Sequence, residues 1–129
     1  MDERPKPILN LEQLEALRSL NEPGQPDIIA SLIAIFLKQT PALIKSLREA
    51  AQKKDLETAK SFVHKLKGSC ANIGAQELAD FCQMIEDNWL QPSAQDLSGS
   101  LEMLEKKYRQ TAEALQKFSR MQEITETER

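Results

Sequence analysis

A chain of 129 residues has the length of one compact domain built on a single core. Its composition, 40% hydrophobic and 29% charged, is that of an ordinary soluble protein. A net charge of −3, mixed along the chain without blocks, excludes the concentrated basic face of a nucleic-acid binder.

The longest apolar run, IIASLIAIFL at 28–37, is shorter than the roughly 20 residues a membrane span takes. The opening MDERPKP lacks the basic start and apolar stretch of a secretory signal. Cys70 and Cys82 are too few for a disulfide scaffold and too far apart for a zinc knuckle, and both read as small core residues. The expectation is a cytosolic monomer with no membrane, nucleic-acid or metal partner.

Helical periodicity dominates, and no stretch alternates convincingly as a strand. A short first helix runs from about Asn10 to Leu20, with Leu11, Leu14, Leu17 and Leu20 on one side and Asn10 as N-cap. NEPGQP at 21–26 is turn chemistry. The second helix spans about Asp27 to Lys53. Ile29, Ile33 and Phe36 line one face, continued by Leu43 or Ile44, Leu47 and Ala51. Pro41 inside it removes one backbone donor, which predicts a kink rather than a break, because the pattern resumes at once.

The third helix runs from near Leu56 to Gly74 on the stripe Leu56, Ala59, Val63, Leu66, Cys70 and Ile73. Gly74 suits the left-handed residue that ends a helix. The fourth, about Ala75 to Leu90, carries Leu78, Cys82, Ile85 and Trp89. A fifth starts within or just after QPSAQDLSGS, with Leu97, Leu101, Leu104, Tyr108, Leu115 and Phe118 inward, and the terminal TETER frays. Short connections between long amphipathic helices predict an all-α, antiparallel up-down four-helix bundle, with the short first helix across one end. Residues 1–129 form one domain with an ordered core at about 8–120.

The sole histidine, His64, lies off the Val63–Leu66–Cys70 stripe, on the flank or solvent side. Lys60, Ser61, Lys67 and Gly68 share its face, with Ala71 two turns on. A glycine inside a helix costs about 1 kcal/mol relative to alanine, so an offsetting advantage is required. Close approach of another body is one; tight packing against a neighbouring helix is the other. A lone imidazole beside lysines is, taken singly, most often just solvated.

The stretch HKLKGSCANIGA resembles the signature of histidine-containing phosphotransfer (HPt) domains, H-x-L-K-G-S-x-x-x-x-G. His64, Leu66, Lys67, Gly68, Ser69 and Gly74 meet its fixed positions. FLKQTPALIKSLREAAQKKD resembles the preceding helix of the family and ELADFCQMIE the following one, so the likeness covers roughly residues 8–120. The resemblance implies a four-helix bundle that accepts a phosphoryl group on His64 and passes it between receiver-domain aspartates, those of a hybrid sensor histidine kinase and of a response regulator.

It also implies a carrier that is not itself an enzyme and holds no cofactor or ATP site; the chain has no glycine-rich phosphate loop. Nε2 of His64 would be the nucleophile, Lys67 would offset phosphoryl charge, and Gly68 would leave room for the receiver. Glu86 occupies the position of a family Gln or Glu that hydrogen-bonds Nδ1 and aims Nε2 outward; the alternative is a solvated surface glutamate. Lys60, Lys65 and Ala71, with Leu11 and Ile35 from the first two helices, complete the expected partner-binding surface. Leu11 and Ile35 serve equally well as core residues on sequence grounds.

Two rival functions differ in kind. A helical adaptor would dock receivers or kinases without phosphotransfer and would tolerate loss of His64. A hydrolase or isomerase using His64 as general base would need a concave pocket with convergent polar groups, which a histidine on the convex flank of a bundle does not suggest.

Overall fold

The computed structural model describes residues 7–88 and 98–127, with side chains at 7–88 and 99–121. Its helices are α1 (Leu11–Arg18), α2 (Ile28–Gln52), α3 (Leu56–Asn72), α4 (Gln76–Asn88) and α5 (Ser98–Thr127), and no strand occurs among the described residues. Helix starts follow side-chain capping, in which an oxygen accepts an orphan first-turn amide. Asn10 Oδ1 accepts from Gln13 N at 3.0 Å, Asp27 Oδ1 from Ile29 N at 3.0 Å and Asp55 Oδ1 from Thr58 N at 3.2 Å. The Thr58 hydroxyl also donates to Asp55 at 2.6 Å, and this bond, then the backbone one, holds the Asp55 carboxyl below its ordinary range.

Helix stops use one device twice. At the end of α3, Gly74 has φ +73°, Ala75 N donates to Cys70 O at 2.8 Å and Gly74 N donates to Ala71 O at 3.3 Å. This closes the orphan carbonyls through a left-handed residue. At the end of α2 the same pair of bonds forms, Asp55 N to Ala50 O and Lys54 N to Ala51 O, each at 3.0 Å. There the left-handed residue is Lys54 (φ +58°), where the sequence shows no glycine.

The helices form an antiparallel up-down bundle. Helix α3 packs against both α2 and α4, and α5 closes the ring by touching α4 and α2. The core is Ile29, Ile33, Phe36, Ile44 and Leu47 from α2, Ala59, Val63, Leu66 and Cys70 from α3, Leu78, Phe81, Cys82 and Ile85 from α4, and Leu101, Leu104 and Leu115 from α5. Helix α1 plugs one end: Leu14 is fully buried, Asn10 N donates to Gly74 O at 2.7 Å, and Gln13 Nε2 donates to Ala71 O at 2.6 Å. By length and mean hydropathy α2 meets the requirement for a bilayer span; Ile29, Ile33, Phe36, Ile44 and Leu47 face the bundle interior, while Ile35 is exposed.

Several details differ from the sequence expectation. Helix α1 ends at Arg18, so Leu20 is exposed beyond it, and Leu11 is exposed at its start. Past Pro41 the inward residues are Ile44, Leu47 and Ala50, with Ala51 only half-buried. Helix α5 continues to Thr127, into the stretch expected to fray. Trp89 and Leu97 lie outside the described residues.

Helix α2 runs unbroken through Pro41. Proline has no N–H to return to the carbonyl of Leu37, and the Tyr108 hydroxyl on α5 donates to that oxygen at 3.4 Å. Next to the proline, Thr40 is fully buried and its hydroxyl has no hydrogen-bond partner among the described residues. An unsatisfied buried hydroxyl costs more than an apolar group of the same shape. Thr40→Val is therefore expected to stabilise the fold by about 1 kcal/mol. Urea unfolding measures this; a destabilised variant would mean that the hydroxyl has a partner.

Candidate functional site

His64 is placed by its neighbours. Val63 and Leu66 are fully buried and fix the rotation of α3, so His64 and Lys65 between them turn outward. Its side chain is 74% exposed, and Nδ1 lies 3.4 Å from Glu86 Oε1 on α4. That separation is long for a settled N–H···O bond, as contacts at reactive groups often are before a partner arrives. Glu86 follows the buried Ile85 and is only 13% exposed, so it is not a solvated surface carboxylate. An imidazole whose Nδ1–H faces a carboxylate keeps its lone pair on Nε2, on the solvent side of the ring.

Lys67 lies one turn after His64 and is also committed to α4. Its ammonium donates to Glu86 Oε2 at 2.9 Å and to Gln83 Oε1 at 2.8 Å. Gln83 Nε2 in turn donates to Asp87 Oδ1 at 2.8 Å. Lys67 thus rests on the Nδ1 side of the histidine, against the carboxylate. Sequence reasoning named Lys67 and Glu86 but missed Gln83 and Asp87. Glu86 and Asp87 follow Gln83 by three and four residues, the spacing that sets each beside Gln83 on the surface of α4.

Gly68 is exposed, and a Cβ built on it would meet nothing within 4 Å. Packing inside the chain therefore does not account for the glycine. It opens onto a groove of about 600 Å³ between α2 and α3, lined by Gln39, Ala42, Leu43, Ser46 and Lys65 among others. A second groove, about 610 Å³, holds His64 itself with Glu57, Lys60, Ser61, Lys65 and Glu86. Lys60 and Lys65 thus stand at the site, while Ala71 is exposed further along α3. Leu11 and Ile35 are 57% and 50% exposed, which removes both from the core, and neither lines these two grooves.

Cys70 and Cys82 are fully buried, and the hydrogen bond with Cys82, then burial, pushes the Cys70 thiol well above its ordinary value. A thiol so held supplies no thiolate. Among the described residues no group of three or more His, Cys, Asp or Glu side chains could hold a metal ion.

A family model described as the Hpt domain matches residues 31–125. Histidine-containing phosphotransfer protein 5 of Arabidopsis thaliana is 32% identical over 73 residues, covering 54% of this chain and 46% of the relative. Pseudo histidine-containing phosphotransfer protein 1 of Oryza sativa subsp. japonica is 21% identical over 109 residues, covering 83% of this chain and 58% of the relative. The chain spans about half the length of these curated relatives. Two solved structures share the fold. A histidine-containing phosphotransfer protein from rice superposes with TM-score 0.77 at 19% identity, over 92% of this chain and 85% of that one. One from Medicago truncatula superposes with TM-score 0.75 at 23% identity, over 95% and 84%. The family match extends across most of the sequence and contains His64 with all of α3 and α4, and the chain belongs to the Hpt domain family.

Proposed function

We propose that this protein is a phosphoryl carrier of a two-component phosphorelay, a cytosolic monomer of one domain. It takes its phosphoryl group from the receiver aspartate of a hybrid sensor histidine kinase and delivers it to that of a response regulator. The observation that supports this most is the setting of the sole imidazole: 74% exposed, with Nδ1 turned to a carboxylate that is itself largely buried.

In the transfer, the Nε2 lone pair attacks the phosphorus of an aspartyl phosphate in line, the P–O bond to the aspartate breaks, and the carboxylate leaves with the electron pair. No proton need depart, because Nδ1 keeps its hydrogen. The ring becomes a phosphoimidazolium whose positive charge sits beside Glu86. Phosphoryl transfer asks mainly for positioning and charge stabilisation, which the oriented imidazole and the carboxylate beside it supply. Return to a second receiver is the same step reversed. The receiver contributes the Mg²⁺ and its carboxylate ligands, while Gly68 and the adjoining groove accept its surface. Lys60, Lys65 and Ala71 lie along α3 for contact, and the exposed Leu11 and Ile35 extend the surface onto α1 and α2.

A relative named as a pseudo phosphotransfer protein marks the other reading, an adaptor that docks without transfer. The His64–Glu86 pairing favours the carrier, because docking alone has no use for an oriented imidazole. The test is incubation with a receiver domain carrying labelled aspartyl phosphate. The expected product is a label on this chain that is lost in acid and stable in base; a chain that binds the receiver but never takes the label is an adaptor.

A further inference from the structure

Glu86 contacts two partners with its two oxygens, His64 Nδ1 through Oε1 and the Lys67 ammonium through Oε2. An ion pair between a lysine that is 26% exposed and a glutamate would ordinarily be loose, since a lysine has a long stem and freely turning donors. Here a second acceptor, Gln83 Oε1, takes the same ammonium at 2.8 Å. The Gln83 amide is fixed in turn, because its NH₂ faces Asp87 at 2.8 Å. A carboxamide is the neutral group that accepts at one end and donates at the other, so it bridges a cation and an anion without leaving either unmatched. The row from Asp87 through Gln83 and Lys67 to Glu86 pairs a donor with an acceptor at every link, and His64 Nδ1 faces its end at 3.4 Å.

We propose that Gln83 is a positioning residue for the transfer, a role resting on the carrier reading above. Braced by Asp87, it pins Lys67 to Glu86 Oε2, and the pinned carboxylate keeps Oε1 on Nδ1 and the lone pair on Nε2. Without Gln83 the ammonium swings into solvent, the carboxylate turns about its last bond, and the imidazole samples the tautomer that cannot attack through Nε2.

The test compares the full chain with Gln83→Met, which fills the same volume without accepting, and with the double variant Gln83→Glu/Asp87→Asn, which still accepts from Lys67 and takes its brace from the carboxamide now at position 87. Two measurements are made: the ¹⁵N signals of the single imidazole in the unphosphorylated protein, and the rate of phosphorylation by phosphoramidate, a small donor that needs no docking. The Met variant is expected to move the ring nitrogens toward a mixture of tautomers. Its labelling should slow roughly three- to ten-fold, the scale of one charge-assisted hydrogen bond at a partly exposed site. The double variant should keep the wild-type spectrum and rate, and all three proteins should melt together. A Met variant with the wild-type spectrum and rate overturns the proposal, as does a double variant that falls with it. A wild-type chain that takes no label from any donor overturns the carrier reading instead, while the spectrum still decides the row.

Discussion

Replacing His64 by glutamine is expected to abolish phosphoryl acceptance and leave the bundle intact. The loss should be complete rather than partial, because no other imidazole exists in the chain to take over and a carboxamide nitrogen has no available lone pair. Stability should stay within about 0.5 kcal/mol of wild type, the usual range for an exposed side chain away from core and caps. His64 contributes nothing to the core, and Glu86 keeps its ion pair with Lys67. Labelling from a phosphorylated receiver and a thermal melt, run side by side, separate the two effects. Residual label on the variant would place the acceptor elsewhere, and a large fall in melting temperature would show that the imidazole is structural.

Gly68 is expected to separate stability from function in opposite directions. The residue sits inside α3, exposed, with nothing within 4 Å of a would-be Cβ. Gly68→Ala should therefore stabilise the protein by up to about 1 kcal/mol, the helix-propensity difference with no clash to offset it. Gly68→Arg should also fold, yet it projects a long cation from the floor of the contact surface one turn from His64. Receiver-dependent phosphorylation should fall roughly ten-fold or more, the scale of about 1.4 kcal/mol lost at an interface. Phosphorylation by phosphoramidate should barely change, since the small donor needs no docking. If the arginine variant takes the group from receivers at the wild-type rate, the bare helix face has no docking role and its cost in stability is unexplained.

The helices were legible because apolar side chains at intervals of three and four leave little choice of buried face. Asn10 and Gly74 announced the boundaries they form, through an oxygen that caps an amide and a residue without Cβ at φ +73°. Lys54 gave no such sign, because a left-handed lysine looks like any other surface lysine in a sequence. Ala50 replaced Ala51 on the inside because, one turn past Leu47, intervals of three and four both point inward, and the packing of α2 in the assembled bundle decides between them. Leu20 fell outside because the helix stops earlier; Asn21 next to it instead accepts from Ile28 N at 2.9 Å and helps start α2.

At the site the pattern around His64 and Gly68 was visible within one helix, where spacing alone fixes the face. The partners of Lys67 were not visible. They depend on the register of α3 against α4, set by Val63, Leu66, Cys70, Leu78, Cys82 and Ile85 in the shared core. For Lys67 the structure adds its partners: the ammonium gives two of its three N–H donors to Glu86 and Gln83.

The central claim is that Nε2 of a single exposed imidazole carries the phosphoryl group. The chain labelled with ¹⁵N-histidine has only one ring to observe, so ¹⁵N–³¹P coupling after incubation with a phosphorylated receiver assigns the bond without ambiguity. The carrier mechanism requires coupling at Nε2, with Nδ1 still protonated and directed at Glu86. Coupling at Nδ1, or an imidazole spectrum unchanged by a receiver that has surrendered its phosphate, contradicts it.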